Sequence, residues 1–224
     1  MSEATATRAS WRRLVPAAVL ALAAAIVAAL LLPAGGDAAR ANGKVVNVMT
    51  RNVYLGADLT PAINASGPNE FSHANGKILR DVDTNNFPVR ARGLAKEIRG
   101  KSPDLVGLQE VALWRENPNA SLAPAVGTGP KTATTVHQGG DFLALLMARL
   151  NQGKKRYRVV KVQNEFDFEA PADYNNTPGD GDPAVAPVMP DAEMNGRLTM
   201  RDVILAKVKA GVRTSNAKGR HFKT

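Results

Sequence analysis

Twenty consecutive residues without a charge, Leu14 to Pro33, divide this chain before anything else about it is read. As a helix the run would rise about 30 Å, the thickness of a membrane's hydrocarbon core. A helix buried in a soluble domain normally keeps a polar face, and this one has none. Arg8, Arg12 and Arg13 precede it. Two readings follow. Pro33-Ala34-Gly35-Gly36, which breaks a helix, and the small-residue ending Ala39-Arg40-Ala41 suit a cleaved signal peptide. The length of the run suits an uncleaved signal anchor. Residues 1–41 are therefore read as signal peptide or signal anchor. Residues 42–224 are expected to be one domain, secreted or membrane-anchored outside the cytoplasm.

The domain has no cysteine, which excludes thiolate metal sites and a cysteine nucleophile. A chain of this length can fold on apolar burial without disulfides. The chain's net charge is +9, of which residues 42–224 carry +7, a charge that favours encounters with polyanions and equally serves solubility. In sequence the basic residues are dispersed, apart from Lys154-Lys155-Arg156-Tyr157-Arg158.

Lys44 to Thr50 is β-branched and apolar, a first strand that ends in Arg51-Asn52-Val53-Tyr54. Residues 57–86 are rich in Asn, Asp, Gly and Pro and read as a long excursion with a short helical turn. Pro88 opens a helix whose apolar face is Ala91, Leu94, Ala95 and Ile98, stopped by Gly100 and Pro103. The run Asp104-Leu105-Val106-Gly107-Leu108-Gln109-Glu110 is a buried strand turning acidic at its end, so a βαβ-like passage is expected. Residues 117–140 read as a loop. Asp141 caps a helix over 142–150, and Tyr157 to Phe166 returns to strand. Residues 170–197 read as a second long loop, 199–209 as a strand, and 212–222 as a hairpin interrupted by the end of the chain.

Glu110 sits at the carboxyl end of its strand, where open α/β sheets place ligands. A carboxylate there suits a hard cation, although solvated acids are common at strand ends. Asn52, ending the first strand, offers both donor and acceptor to a site, or caps a turn through its own backbone. Of Arg201 and Asp202, strand alternation directs at most one toward a shared cleft, with Arg201 suited to a phosphate and Asp202 to a structural pair. His73 and His137 fall in the two loops and read as exposed. His221 lies at the terminus.

Taken together, Asn52 in VVNVMTRNVYLG and Glu110 in SPDLVGLQEV resemble the N-terminal half of the endonuclease/exonuclease/phosphatase family, the DNase I-like fold. DFLALLMARL, YRVVKVQNEFDF and RLTMRDVILAKVK continue the resemblance, which covers roughly residues 44–224. It implies a layered α/β sandwich and hydrolysis of phosphodiesters or phosphomonoesters. It also implies Mg²⁺ or Mn²⁺ as cofactor, with Glu110 as metal ligand and Asn52 and Glu110 as catalytic residues. The implied partners are phosphorylated substrates: nucleic acid, phospholipid or inositol phosphate.

The chain departs from the family pattern. The later histidine, the Gly-Asp-x-Asn motif and the terminal Ser-Asp-His are not found, and Asp180-Gly181-Asp182 lies in a proline-rich loop with no strand before it. The domain is therefore expected to be incomplete at its C-terminus, with little or no activity of its own. The alternative reading is a non-catalytic module that binds a phosphate ligand or polyanion.

Overall fold

The structure, a computed structural model, describes residues 45–121, 131–215 and 217–218. The apolar leader and the hairpin's second arm, His221 included, lie outside the described residues. Among the described residues no helix is long and apolar enough to cross a membrane. The described residues thus supply no membrane anchor, the expected anchor segment lies outside them, and no compartment follows from the structure.

Six strands and four helices form a mixed α/β fold: β1 (Val48–Asn52), α1 (Thr60–Ile63), α2 (Pro68–Asn85), α3 (Phe87–Lys101), β2 (Leu105–Gln109), β3 (Leu113–Asn117), β4 (Thr135–Asp141), α4 (Phe142–Leu150), β5 (Tyr157–Ala172) and β6 (Met194–Lys207). The sheet runs β1-β2-β6-β3-β4, with β5 pairing along the whole of β6. β1 and β2 are parallel, Val48 opposite Leu105 and Asn52 opposite Gln109, so the β1–α3–β2 passage is the one the pattern called for. β6 is antiparallel to its neighbours and bridges β2 at Val203–Ala206 and β3 at Asn195–Thr199.

Alternation along the strands sorts the two sheet faces. Val106, Leu108, Val203 and Leu205 are buried, whereas Val48 and Ile204 are exposed. The helices supply the covering layer: Phe87 of α3 stacks on Phe142 of α4 with ring centroids 3.7 Å apart, and Ala95, Ile98, Leu146 and Leu150 have no exposed surface. Asp141 caps α4 by accepting the Ala144 amide, as its position predicted.

The excursion read over 57–86 contains an 18-residue helix, α2. Phe71, Ala74, Ile78, Leu79 and Val82 recur at helical spacing and are buried, so the apolar stripe outweighs the low helix propensity of the intervening Asn, Asp and Gly. Gly76 permits the close approach of α2 to the chain after β5: a Cβ there would stand 1.7 Å from the Asp173 carbonyl oxygen. The loop read over 117–140 likewise carries β4, and β5 extends to Ala172, which leaves 173–193 as the connection to β6. Residues 208–215 form a turn and irregular chain, without the first strand of the expected hairpin.

Candidate active site at the carboxyl ends of β1 and β2

The parallel pairing of β1 and β2 carries Asn52 and Glu110 to the same edge. Asn52 donates from Nδ2 to Glu110 Oε1 at 2.6 Å, and the Leu55 amide donates to Oε2 at 3.1 Å. Asn52 Oδ1 accepts the Tyr54 amide at 2.7 Å. Thus Asn52 fills both roles between which its sequence context left a choice: it closes a turn with its oxygen and orients Glu110 with its nitrogen.

Glu110 adopts φ of 57°, a left-handed conformation that a side chain bearing a Cβ rarely takes, and Tyr54 does the same at 58°. Such geometry costs about 1 kcal/mol and persists only where surrounding contacts over-determine it. Here the contacts come from β6. The Val111 amide donates to the Arg201 carbonyl at 2.8 Å, which ties the residue after Glu110 to β6. Arg201 itself is buried, donating to the Val111 and Ala112 carbonyls at 2.9 and 3.1 Å and to Asp141 at 2.9 Å. The roles assigned from sequence are therefore exchanged: Arg201 is a strut beneath the turn, and Asp202 stands beside Glu110.

Asp202 is half-buried. Its carboxyl is pushed above the usual range first by burial, then by the neighbouring Glu165 and Glu110 carboxylates, against the lowering effect of the Glu110 amide. A carboxylate held by two donors beside a second carboxyl that favours its proton is an arrangement suited to proton transfer.

A cleft of about 240 Å³ opens next to Asn52, between Arg51, Phe87, Arg90, Leu94 and Glu97. Its cations are engaged. Arg51 pairs with Glu97, and Arg90 donates to the Val53 carbonyl and Asn85 while lying over the Tyr54 and Phe87 rings.

The expected Mg²⁺ or Mn²⁺ centre does not fit these donors. Among the described residues no group of three or more His, Cys, Asp or Glu could hold a metal ion. The expectation of a Mg²⁺ or Mn²⁺ cofactor is corrected on that ground.

His73 and His137 lie on a helix and a strand rather than in loops. His73, on α2, directs Nδ1 to Asp173 at 2.5 Å and Nε2 to Asp191 at 2.9 Å. His137, on β4, is buried between Asp83 at 2.7 Å and Glu116, and Tyr174 donates to the other oxygen of Asp83 at 2.6 Å. Each imidazole serves both flanking carboxylates as a donor only when it carries its second proton. These groups fasten the 173–193 connection to α2 and β4, and neither contacts Glu110. Asp180 and Asp182 accept from Asn175 and the Ala184 amide, which are turn contacts.

The partnership of Asp202 was hidden because it depends on β6 lying antiparallel beside β2. The histidine pairs depend on sequence separations of 100 and 54 residues. No protein-family model, curated protein or solved structure matches the chain.

Proposed function

We propose that the domain is a phosphoester hydrolase domain of the endonuclease/exonuclease/phosphatase type, with the Asn52–Glu110 pair as its catalytic core and Asp202 as a neighbouring carboxyl. The reading rests on one observation: Asn52 and Glu110, the residues that carry the resemblance, meet at 2.6 Å where the parallel strands β1 and β2 end. The left-handed backbone at Glu110 supports it, since strain of this kind collects at working sites. So does the α/β architecture, although a fold by itself does not choose a reaction.

In this reading Glu110 orients and deprotonates the attacking water. Asn52 and the Leu55 amide keep its carboxylate aimed. Asp202 supplies a proton to the departing alkoxide, so that water is added across the P–O bond. His73 and His137 are committed to structural pairs, so turnover is expected to be slow, several orders of magnitude below that of a site with a dedicated histidine base.

The purified chain is to be assayed on a bis(nitrophenyl) phosphate, a nitrophenyl phosphate and a nitrophenyl acetate. Slow release of nitrophenol from a phosphate ester, with the acetate untouched beyond its spontaneous rate, is the expected result. Preferential cleavage of the acetate, or no release from either phosphate above the buffer rate, would contradict the assignment.

A further inference from the structure

At the opposite end of the sheet from Glu110, the fold gathers charges that are scattered in sequence. The last turn of α3, the start of β2, the end of α4 with the turn into β5, and the end of β6 with the chain after it all lie at that end. They are held together by bonds from the Lys207 amide to the Asp104 carbonyl at 2.9 Å, the Val208 amide to the Arg156 carbonyl at 2.8 Å, and Arg158 to the Thr214 hydroxyl at 2.7 Å. Arg99 ties α3 to the last turn of α4 through the Arg149 carbonyl at 3.0 Å. Residues 98–105, 149–161 and 203–218 contain twelve basic residues and a single acid, Asp104. That imbalance gives one end of the molecule a strongly positive field.

Part of this charge has an ordinary explanation. Lys101 and Arg149 end helices, where cations complement the helix dipole and the last carbonyls. Lys154, Lys155, Lys209 and Arg213 are different. They are exposed, stand on turns beyond any helix, and make no ion pair with an acidic side chain among the described residues. Four unneutralised cations that close together repel one another and contribute nothing to the core.

We propose that this basic end binds the phosphodiester backbone of a nucleic-acid duplex, independently of base sequence. Two observations choose this partner. Tyr157, the aromatic residue within the cluster, is 2 % exposed and donates its hydroxyl to the Pro103 carbonyl at 2.9 Å, so it offers no platform for stacking unpaired bases. The large apolar side chains exposed there are Val159, Ile204 and Val208, without the Trp, Phe or Leu that would seat a surface in a bilayer interface. What remains is a set of Lys and Arg side chains suited to phosphate oxygens. The surface lies apart from Asn52 and Glu110, and its binding is read without turnover, so it stands or falls separately from the hydrolase reading.

The test is fluorescence anisotropy of the full chain with a labelled duplex of arbitrary sequence, over about 50 to about 200 mM salt. Contacts through Lys101 and these four residues give an expected slope of log affinity against log salt of about −4 to −5. The triple charge reversal Lys154→Glu, Lys155→Glu and Lys209→Glu is expected to weaken binding at low salt by about tenfold or more and to flatten the slope. Lys96→Glu, on the exposed middle of α3, is expected to leave both unchanged, and matching thermal melts show that the variants fold. A salt-independent affinity, or a triple variant that binds like the parent, overturns the proposal. Tighter binding to vesicles rich in phosphatidylserine than to the duplex overturns the choice of nucleic acid.

Discussion

Glu110 keeps its carboxylate aimed by holding its own backbone in a left-handed turn, and the Arg201 carbonyl holds that turn through the Val111 amide. Asp202 carries the electrostatic cost. Its folded-state pKa is raised, so the folded protein binds that proton more tightly than the unfolded chain does. Its ionisation therefore destabilises the fold as pH rises from the ordinary carboxyl value of 3.8 through the raised folded value. Asp202→Asn keeps the shape and removes the charge. It is expected to raise the melting temperature at pH 7 and to leave it little changed near pH 3, as thermal melts at the two values would show, while lowering any phosphoester turnover. Equal melting temperatures for parent and variant at pH 7 would show that the carboxyl is not under strain. At this scale the sequence revealed Asn52 and Glu110 because strand ends are legible from composition. It did not reveal which of Arg201 and Asp202 faces the site. Alternation separates the two faces of a strand without saying which one the helices cover.

Helix α2 shows what composition conceals at the scale of elements. Asn, Asp, Gly and Ser between Pro68 and Asn85 suggest a loop, yet the buried stripe from Phe71 to Val82 makes a helix, and Gly76 within it is a contact rather than a breaker. Gly to Ala in a helix ordinarily gains about 1 kcal/mol. Here the new methyl meets the Asp173 carbonyl at 1.7 Å, and the expected result is a loss of at least about 2 kcal/mol in denaturant unfolding.

The same helix meets β4 through His137. Burial lowers the pKa of this imidazole, but hydrogen bonds and attraction from Glu116 and Asp83 outweigh it and the net shift is upward. A raised folded value means that the pair's stabilisation is complete below the unfolded value of 6.5 and is lost as pH rises through the folded value. His137→Gln is therefore expected to lower the melting temperature more at pH 6 than at pH 9, whereas a penalty independent of pH would assign His137 to packing alone. Tyr174, whose hydroxyl is pushed up to about 12 by its bond to Asp83 and by burial, stays a donor across that range. None of these partnerships is local in sequence, so no pattern could announce them.

At the scale of the sheet, helices cover one face and exposed Val48 and Ile204 line the other. Glu110, Asp202 and Glu165 mark one end, and the basic turns mark the other. The strand–helix–strand core was legible because buried strands and amphipathic helices follow simple periods. The gathering of charge was not, because it depends on β5 and β6 bringing residues 154–158 beside 207–213. The central claim, that Asn52 and Glu110 form a hydrolytic site for phosphate esters, is tested most directly by comparing initial rates of the parent chain and Glu110→Gln on a bis(nitrophenyl) phosphate. Gln preserves size and removes the base, so the rate is expected to fall by about a hundredfold or to the spontaneous background. Equal rates in the two proteins, with both folded, would remove Glu110 from the chemistry and contradict the account.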